Sequence, residues 1–176
     1  MSNYVIINPL VADDAEGLLE LVLTEHDDLS LYFPVTTERM TDRRGAKRYV
    51  SELLDRAKAR EMFCFVLRDH EEAAPAGMVF LKQFDRSVPK CEIAYFVGST
   101  WRRQGYATFG VIWALDHAFT VLGMRKVFAS VDPDNKASIR VLENCGFQLE
   151  GLLRSDFRAG DGRLMDVRYY GALREA

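Results

Sequence analysis

The stretch from Cys91 to Ala107 constrains the fold more than any other part of the sequence. Apolar residues from Ile93 to Val97 predict a buried strand, and Gly98 ends this run before a basic loop that opens a helix. A loop at the start of a helix directs several backbone N–H groups, and the positive end of the helix dipole, at one point. The stretch therefore predicts a site for a phosphate or pyrophosphate between strand and helix.

Small and basic residues in this loop suit a bound anion. Gly105 and Ala107 carry no bulky side chain, so an anion can approach the backbone closely. Arg102 and Arg103 would add charge-assisted hydrogen bonds. The alternative is that both arginines are ordinary solvated charges, but their position in the loop favours contact with phosphate.

Length and composition predict one soluble domain over residues 1–176. The net charge of -3, from 23 basic and 26 acidic residues, argues against a general nucleic-acid binder. Cys64, Cys91 and Cys145 lie far apart, which fits reduced thiols better than disulfides or a zinc site. Neither a signal peptide nor an apolar run of about 20 residues is visible. We therefore expect a cytoplasmic protein that binds neither nucleic acid nor a membrane.

Hydrophobic periodicity predicts an α+β domain. The predicted elements are a strand at 4–8, helices at 12–23 and 41–60, strands at 62–68, 76–84 and 93–97, a helix ending near 122, a strand at 126–131, a helix at 136–145, and strands at 147–157 and 163–173. A turn is expected at 71–75, and 26–34 is less regular. Consecutive strands favour antiparallel pairing, and the strand–helix–strand unit around 104–122 favours a parallel crossover. The sheet is thus expected to be mixed, mostly antiparallel and flanked by helices.

Two motifs resemble those of the GNAT N-acetyltransferases. Arg102-x-x-Gly105-x-Ala107, between a buried strand and a helix, resembles their acyl-CoA loop, in which Arg or Gln, two residues, Gly, one residue, and Gly or Ala follow one another. The segment NKASIRVLENCGF, which begins at Asn135, resembles the RimJ/RimL branch, whose members acetylate N-termini of ribosomal proteins, and relatives that modify other amines. The resemblance covers residues 4–173 and includes the predicted order of elements.

The resemblance implies acetyl-CoA as the acyl donor, no metal, and a role for each matching position. The central strand would diverge from its neighbour and bond the pantetheine arm through the backbone of Tyr95, Phe96 and Val97. Asn135 would bond the same arm. The loop amides would hold the pyrophosphate, and the loop residues are Arg102, Arg103, Gln104, Gly105, Tyr106, Ala107 and Thr108.

The resemblance also implies where the acceptor amine enters. In this family the segment after the first helix, together with the hairpin near Gly160, shapes the acceptor site. The candidates here are Leu31, Tyr32 and Phe33. Core packing explains these three side chains as well as substrate contact does.

Glu92 is the first candidate for a general base. Acetyl transfer from a thioester requires a neutral amine, a hydrogen-bond donor for the carbonyl oxygen and a donor for the leaving thiolate. Alternation along the central strand places Glu92 on the opposite face from Ile93. The equally supported alternative is a carboxylate at the strand edge that forms a salt bridge.

Ser138 is the candidate donor to the leaving thiolate. Many GNAT proteins carry a tyrosine seven residues after the asparagine, but Leu142 occupies that position here. Ser138, three residues after Asn135, is the alternative that the RimJ/RimL resemblance implies. The competing interpretation is a small helix residue that packs near the cofactor.

The leading functional hypothesis is an acetyl-CoA-dependent N-acetyltransferase. It would transfer acetyl directly, in a ternary complex, to a primary amine, above all the N-terminal α-amine of a protein. The alternatives are a polyamine or antibiotic acetyltransferase, and an acyl-CoA-binding domain without turnover. The resemblance also makes a homodimer through the last strands an expectation.

Overall fold

The computed structural model describes residues 5–70 and 74–174, which form six α-helices and seven strands. The strands are β1 (Val5–Pro9), β2 (Phe63–Asp69), β3 (Pro75–Asp85), β4 (Lys90–Val97), β5 (Lys126–Val131), β6 (Gln148–Arg158) and β7 (Leu164–Leu173). The helices are α1 (Ala15–Thr24), α2 (His26–Tyr32), α3 (Pro34–Arg39), α4 (Arg43–Lys58), α5 (Tyr106–Thr120) and α6 (Lys136–Asn144). Short 3-10 turns precede α1 and α5. Within the described residues, no helix has the length and apolar character to cross a bilayer.

The segment 26–34 is more regular than its sequence suggests. It forms α2 and the start of α3, two short helices that meet at Phe33. Pro34 occupies the first turn of α3, where its missing N–H costs nothing and its fixed φ suits a helix. Tyr4, in the predicted first strand, and residues 71–73 of the predicted turn lie outside the described residues.

The expected mixed sheet is confirmed. Its strand order is β1-β2-β3-β4-β5-β7-β6, and every neighbouring pair is antiparallel except β4–β5. The parallel pair is connected through α5, as the strand–helix–strand pattern predicts. Its ladder is short, because only Lys90–Glu92 pair with Lys126–Phe128. Beyond Glu92 the two strands separate, and this gap lies in the middle of the sheet.

Alternation along β4 sends its side chains into two different cores. Phe96 belongs to the cluster formed with α1 and α4, whereas Ile93 belongs to the cluster formed with α5 and α6. Glu92 shares the parity of Phe96, so the predicted face for this carboxylate agrees with the fold. The gap between β4 and β5 is therefore bordered by helices from both layers.

The hairpin between β6 and β7 reaches back across the molecule to α2. The backbone N–H of Gly160 donates to the carbonyl of Leu31 at 3.1 Å, and neighbouring Ala159 is buried. A Cβ atom added at Gly160 would overlap the carbonyl oxygen of Ser30. The close approach of these two backbones therefore requires glycine, and it closes one end of the gap.

We expect Gly160→Ala to destabilise the protein by about 1–3 kcal/mol, because the added methyl group forces the hairpin away from α2. Chemical denaturation measures this change. Gly151→Ala on β6 is the control, since a Cβ there meets no atom within 4 Å. Equal stability of the two variants would show that the hairpin is not seated on α2 as described.

Candidate active site

The separation of β4 from β5 opens a cavity of about 960 Å³. Just after β4, the backbone N–H of Gly98 donates to the carbonyl of Ala76 in β3 at 2.9 Å. Backbone groups alternate in direction along a strand, so those of Ile93, Tyr95 and Val97 point away from β3, towards the gap. The backbone groups of Phe96 face Met78 of β3 instead, so the structure disagrees with the backbone contact to the pantetheine arm expected for Phe96. A row of backbone donors and acceptors therefore lines the wall of the cavity, which suits an extended ligand that carries amides.

The loop after β4 has the backbone geometry of an anion site. Gly105 precedes the first turn of α5 with φ +86, a left-handed conformation that favours glycine. A Cβ atom at Gly105 would meet no atom within 4 Å, so this side of the loop is open. Tyr106 is fully buried and its hydroxyl donates to Asp69, which anchors the start of α5. Ala107 and Thr108 follow in the first turn and line the same cavity.

The two arginines of the loop differ in their surroundings. Arg102 forms ion pairs with Glu25 at 3.0 Å and Asp28 at 2.8 Å, and its Nε donates to the carbonyl of Val97. Arg103 is exposed, and it forms no ion pair with any residue that the structure describes. Arg102 thus ties the loop to α2, whereas the guanidinium of Arg103 is exposed beside the loop.

Glu25, at the end of α1, also holds the loop after β4 in place, a role that was not expected from the sequence. This carboxylate is buried at the end of α1 and accepts hydrogen bonds from the backbone N–H and the hydroxyl of Ser99, at 2.7 and 2.6 Å. Glu25 and Ser99 are far apart in sequence, so no local pattern indicates the contact. Gln104 also holds the loop, through a bond from its side chain to the carbonyl of Thr100.

Asn135 caps α6, as the turn before this helix predicts. Its Oδ1 accepts from the backbone N–H of Ser138 at 3.0 Å. The cap uses the acceptor of the side chain, so its NH₂ group is the part suited to a ligand carbonyl. Asn135 and Ser138 both line the cavity, opposite β4.

The side chain of Tyr95 meets Ser138 across the gap. Tyr95 Oη lies 2.9 Å from Ser138 Oγ and 3.3 Å from the Ser138 carbonyl oxygen. Burial raises the pKa of Tyr95, an effect that the bond to Ser138 only partly opposes. From the sequence, only a backbone role was expected for Tyr95. Its parity with Ile93, which faces α5 and α6, was the signal that its hydroxyl could reach α6.

Glu92 lies where the β4–β5 ladder ends, and it lines the cavity with only 8% of its surface exposed. Lys82 Nζ is 3.2 Å from its carboxylate, and Gln83 Nε2 donates to the same oxygen at 2.8 Å. Lys82 lies directly opposite Glu92 in the β3–β4 register, and Gln83, with φ +53 at an irregularity in β3, reaches the same carboxylate. The salt bridge is therefore present, and the carboxylate also lies within the cavity.

The three candidates for acceptor contact have different surroundings. All of them line the cavity, together with Phe157, Met165 and Val167 of the last two strands, which the sequence analysis did not single out. Phe33 packs edge-on against Phe96, with ring centroids 5.1 Å apart, so core packing accounts for most of its surface. Leu31 is half-buried, and its carbonyl receives the hairpin.

Tyr32 connects α2 to the turn after β5 across the mouth of the gap. Its hydroxyl donates to Asp132, in the turn after β5, at 2.8 Å. Burial, followed by the bond to Asp132, raises the pKa of Tyr32 to about 12. Asp134 and Asp28 also act on this hydroxyl through their charges. This mouth of the cavity is therefore acidic, and Tyr32 stays protonated at neutral pH.

Known proteins with similar sequences are N-acetyltransferases by name. The protein p20 of Bacillus licheniformis, an uncharacterised N-acetyltransferase, is 32% identical over 112 residues, which are 64% of this chain and 61% of that protein. The chain thus spans about three-fifths of the length of that relative. A spermidine N(1)-acetyltransferase of Escherichia coli (strain K12) is 30% identical over 82 residues, 47% of this chain and 44% of that enzyme.

Solved structures share the fold. A ribosomal-protein-S5-alanine acetyltransferase of Vibrio fischeri superposes with a TM-score of 0.88 at 20% identity, over 96% of this chain and 92% of that one. RimJ of Mycobacterium smegmatis, in complex with CoA-disulfide, gives a TM-score of 0.88 at 24% identity, over 98% and 83% of the two chains. Likeness at this level of identity shows the fold alone.

The profile of the acetyltransferase (GNAT) domain matches residues 5–148. That match includes the anion loop, the diverging strands and all of α6. The fold expected from the resemblance agrees with both comparisons. Because the profile covers most of the sequence, the chain belongs to the acetyltransferase (GNAT) domain family.

Proposed function

We propose that the protein transfers an acetyl group from acetyl-CoA to a primary amine, most favourably the N-terminal α-amine of a protein or peptide. The observation that carries the proposal is the gap between β4 and β5, which has an anion loop at one end and the Tyr95–Ser138 hydroxyl pair facing it. Such a gap accepts an extended thioester, and the cavity on its other side accepts the amine. Members of this family use acetyl-CoA, which agrees with the chemistry of the loop.

The reaction is a direct transfer between two bound substrates. The amine nitrogen attacks the thioester carbonyl carbon, the new C–N bond forms, and the C–S bond breaks with its electron pair leaving on sulfur. The proton lost from nitrogen passes to Glu92, directly or through water, and Ser138 donates a hydrogen bond to the sulfur. The anion loop after β4 and the backbone groups of β4 that face the gap hold acetyl-CoA in place for this attack.

A carboxylate as the general base favours an α-amine as acceptor. Carboxylates are weak bases in general, because their reference pKa values lie far below those of amines. An α-amino group, with a pKa of about 7.7–8.0, needs less help to become neutral than an alkylammonium group with a pKa of about 10.4. A modest base therefore suits a protein N-terminus.

A small polycation is the second candidate acceptor. Asp132 accepts from the hydroxyl of Tyr32 at the mouth of the cavity, and Asp134 lies near it, whereas Asp28 is already paired with Arg102. The charges of Asp132 and Asp134 would attract an amine with further positive groups. A relative named spermidine N(1)-acetyltransferase agrees with this option. The acidic mouth does not by itself separate a cationic peptide from a polyamine.

An acceptor panel tests the proposed function. Acetyl-CoA is mixed with an alanine-starting peptide, the same peptide with a blocked N-terminus, spermidine or an aminoglycoside, and free thiol is measured. We expect turnover with the free peptide and none with its blocked form. Turnover with spermidine alone would favour the polyamine activity, and binding of acetyl-CoA without any turnover would favour a non-catalytic acyl-CoA-binding domain.

We expect Glu92→Gln to lower kcat/KM by about 100-fold, because the amide cannot accept the amine proton. Steady-state rates measured across pH show the effect, and the pH profile of the variant should differ from that of the wild-type protein. Glu150→Gln is the control, since Glu150 also pairs with a lysine of the sheet, Lys126, outside the cavity. An unchanged rate and pH profile for Glu92→Gln would remove the base assignment.

We expect Arg103→Ala to weaken binding of acetyl-CoA about tenfold, through loss of a charge-assisted bond to phosphate. Calorimetry at two salt concentrations measures the affinity, and the variant should show the weaker salt dependence. Arg44→Ala, in the exposed first turn of α4, removes the same charge away from the cavity. Equal affinities of the two variants would make Arg103 a solvated charge.

A further inference from the structure

We propose that the hydroxyl of Tyr95 is a positioning group for the leaving thiolate, and that it acts by orienting the hydroxyl of Ser138. The inference rests on the proposed acetyl transfer and assigns it a further residue. Tyr95 does not itself contact the sulfur in this proposal. It determines which way the proton of Ser138 points.

The two hydroxyl groups have two hydrogen-bond arrangements. Tyr95 Oη is within reach of both Ser138 Oγ, at 2.9 Å, and the Ser138 carbonyl oxygen, at 3.3 Å. In the first arrangement Ser138 donates to Tyr95, and Tyr95 donates to the carbonyl. In the second, Tyr95 donates to Ser138 Oγ, and the Ser138 proton is free to donate to a third atom. Rotation of two O–H bonds interconverts them without movement of heavy atoms.

The third atom is the sulfur of the acyl donor. Tyr95 and Ser138 both line the cavity that would hold the thioester, and the backbone N–H of Ser138 is already bonded to Asn135. When the C–S bond breaks, its electron pair adds negative charge to sulfur, and this charge favours the arrangement in which Ser138 donates to it. Both hydroxyls keep their protons, and the thiolate takes its proton later from solvent.

Without Tyr95, the Ser138 hydroxyl has a competing partner. A serine in a helix can donate back to a carbonyl of the preceding turn, which would turn its proton away from the gap. A bond from Tyr95 to Ser138 Oγ opposes that rotation, because it requires one lone pair of the oxygen to face Tyr95. The tyrosine thus holds the serine in the orientation that faces the sulfur.

The protonation states around the pair suit this role. Burial raises the pKa of Tyr95, so its hydroxyl remains a donor at neutral pH. Cys145 also acts on Tyr95, and burial raises the pKa of its thiol, so it adds no charge at neutral pH. The pair therefore responds to charge on the ligand, not to ionisation of its neighbours.

The pKa of the CoA thiol, measured in the bound product, tests the inference without turnover. Thiolate absorbance of the CoA complex is followed against pH. Burial raises the pKa values of Cys64 and Cys91 to about 12, so these two thiols add no thiolate absorbance at the lower pH values of the titration. We expect the wild-type protein to lower the pKa of bound CoA, and Ser138→Ala and Tyr95→Phe each to return it towards that of free CoA.

Tyr170→Phe is the matched control. Tyr170 is a buried tyrosine of β7 whose hydroxyl also donates to α6, to Glu143 at 3.1 Å. The Tyr170→Phe substitution should leave the pKa of bound CoA as it is in the wild-type complex. The double variant Tyr95→Phe/Ser138→Ala should match Ser138→Ala alone, because the tyrosine acts through the serine. In turnover, Tyr95→Phe should lower kcat about tenfold with KM unchanged.

The outcomes separate this inference from the proposed function. The role of Tyr95 would be overturned if Tyr95→Phe left the pKa of bound CoA as low as it is in the wild-type complex. It would also be overturned if the effects of the two substitutions added in the double variant, or if the wild-type protein failed to bind CoA. If the thiol pKa follows the expected pattern while no amine is acetylated, the hydroxyl pair stands and the proposed transferase activity fails.

Discussion

The end of the β4–β5 ladder at Glu92 and Phe128 is the constraint on which the site depends. A central strand with unpaired N–H and C=O groups loses hydrogen bonds, and burying such groups without partners costs about 1–3 kcal/mol each. Here the unpaired groups line an open cavity, where solvent or an amide-bearing ligand can satisfy them. The interruption that weakens the sheet therefore creates a surface suited to an extended ligand that carries amides.

Polar contacts between distant elements cross the gap between the two strands. Tyr95 and Ser138 join β4 to α6, and Tyr32 and Asp132 join α2 to the turn after β5. Each such bond contributes only about 1 kcal/mol to folding, so the gap is not held rigidly by any one of them. Their position at the walls of the cavity means that the groups crossing the gap are also groups that a substrate would meet.

Features set by local sequence were predictable, and features set by distant partners were not. The glycine loop, the cap at Asn135 and the face of Glu92 follow from spacing and alternation, and the structure has them. The salt bridge of Glu92 was one of two alternatives from the sequence, but its partner Lys82 depends on the register of β3 against β4, and the contact of Gln83 depends on an irregularity in β3 that no spacing indicates. Arg102 illustrates the same limit, because its carboxylate partners lie more than 70 residues earlier.

The two halves of the candidate site share α2 as their support. Asp28 of this helix holds Arg102 of the phosphate loop, and at its other end Leu31 and Tyr32 receive the hairpin and reach Asp132. A helix of seven residues has little stability by itself, so these contacts determine where it lies. Direct transfer is sensitive to small errors in the distance between the reacting atoms. Because one short helix contacts both the loop after β4 and the hairpin between β6 and β7, the alignment of thioester and amine in the proposed reaction would depend on the contacts of this helix.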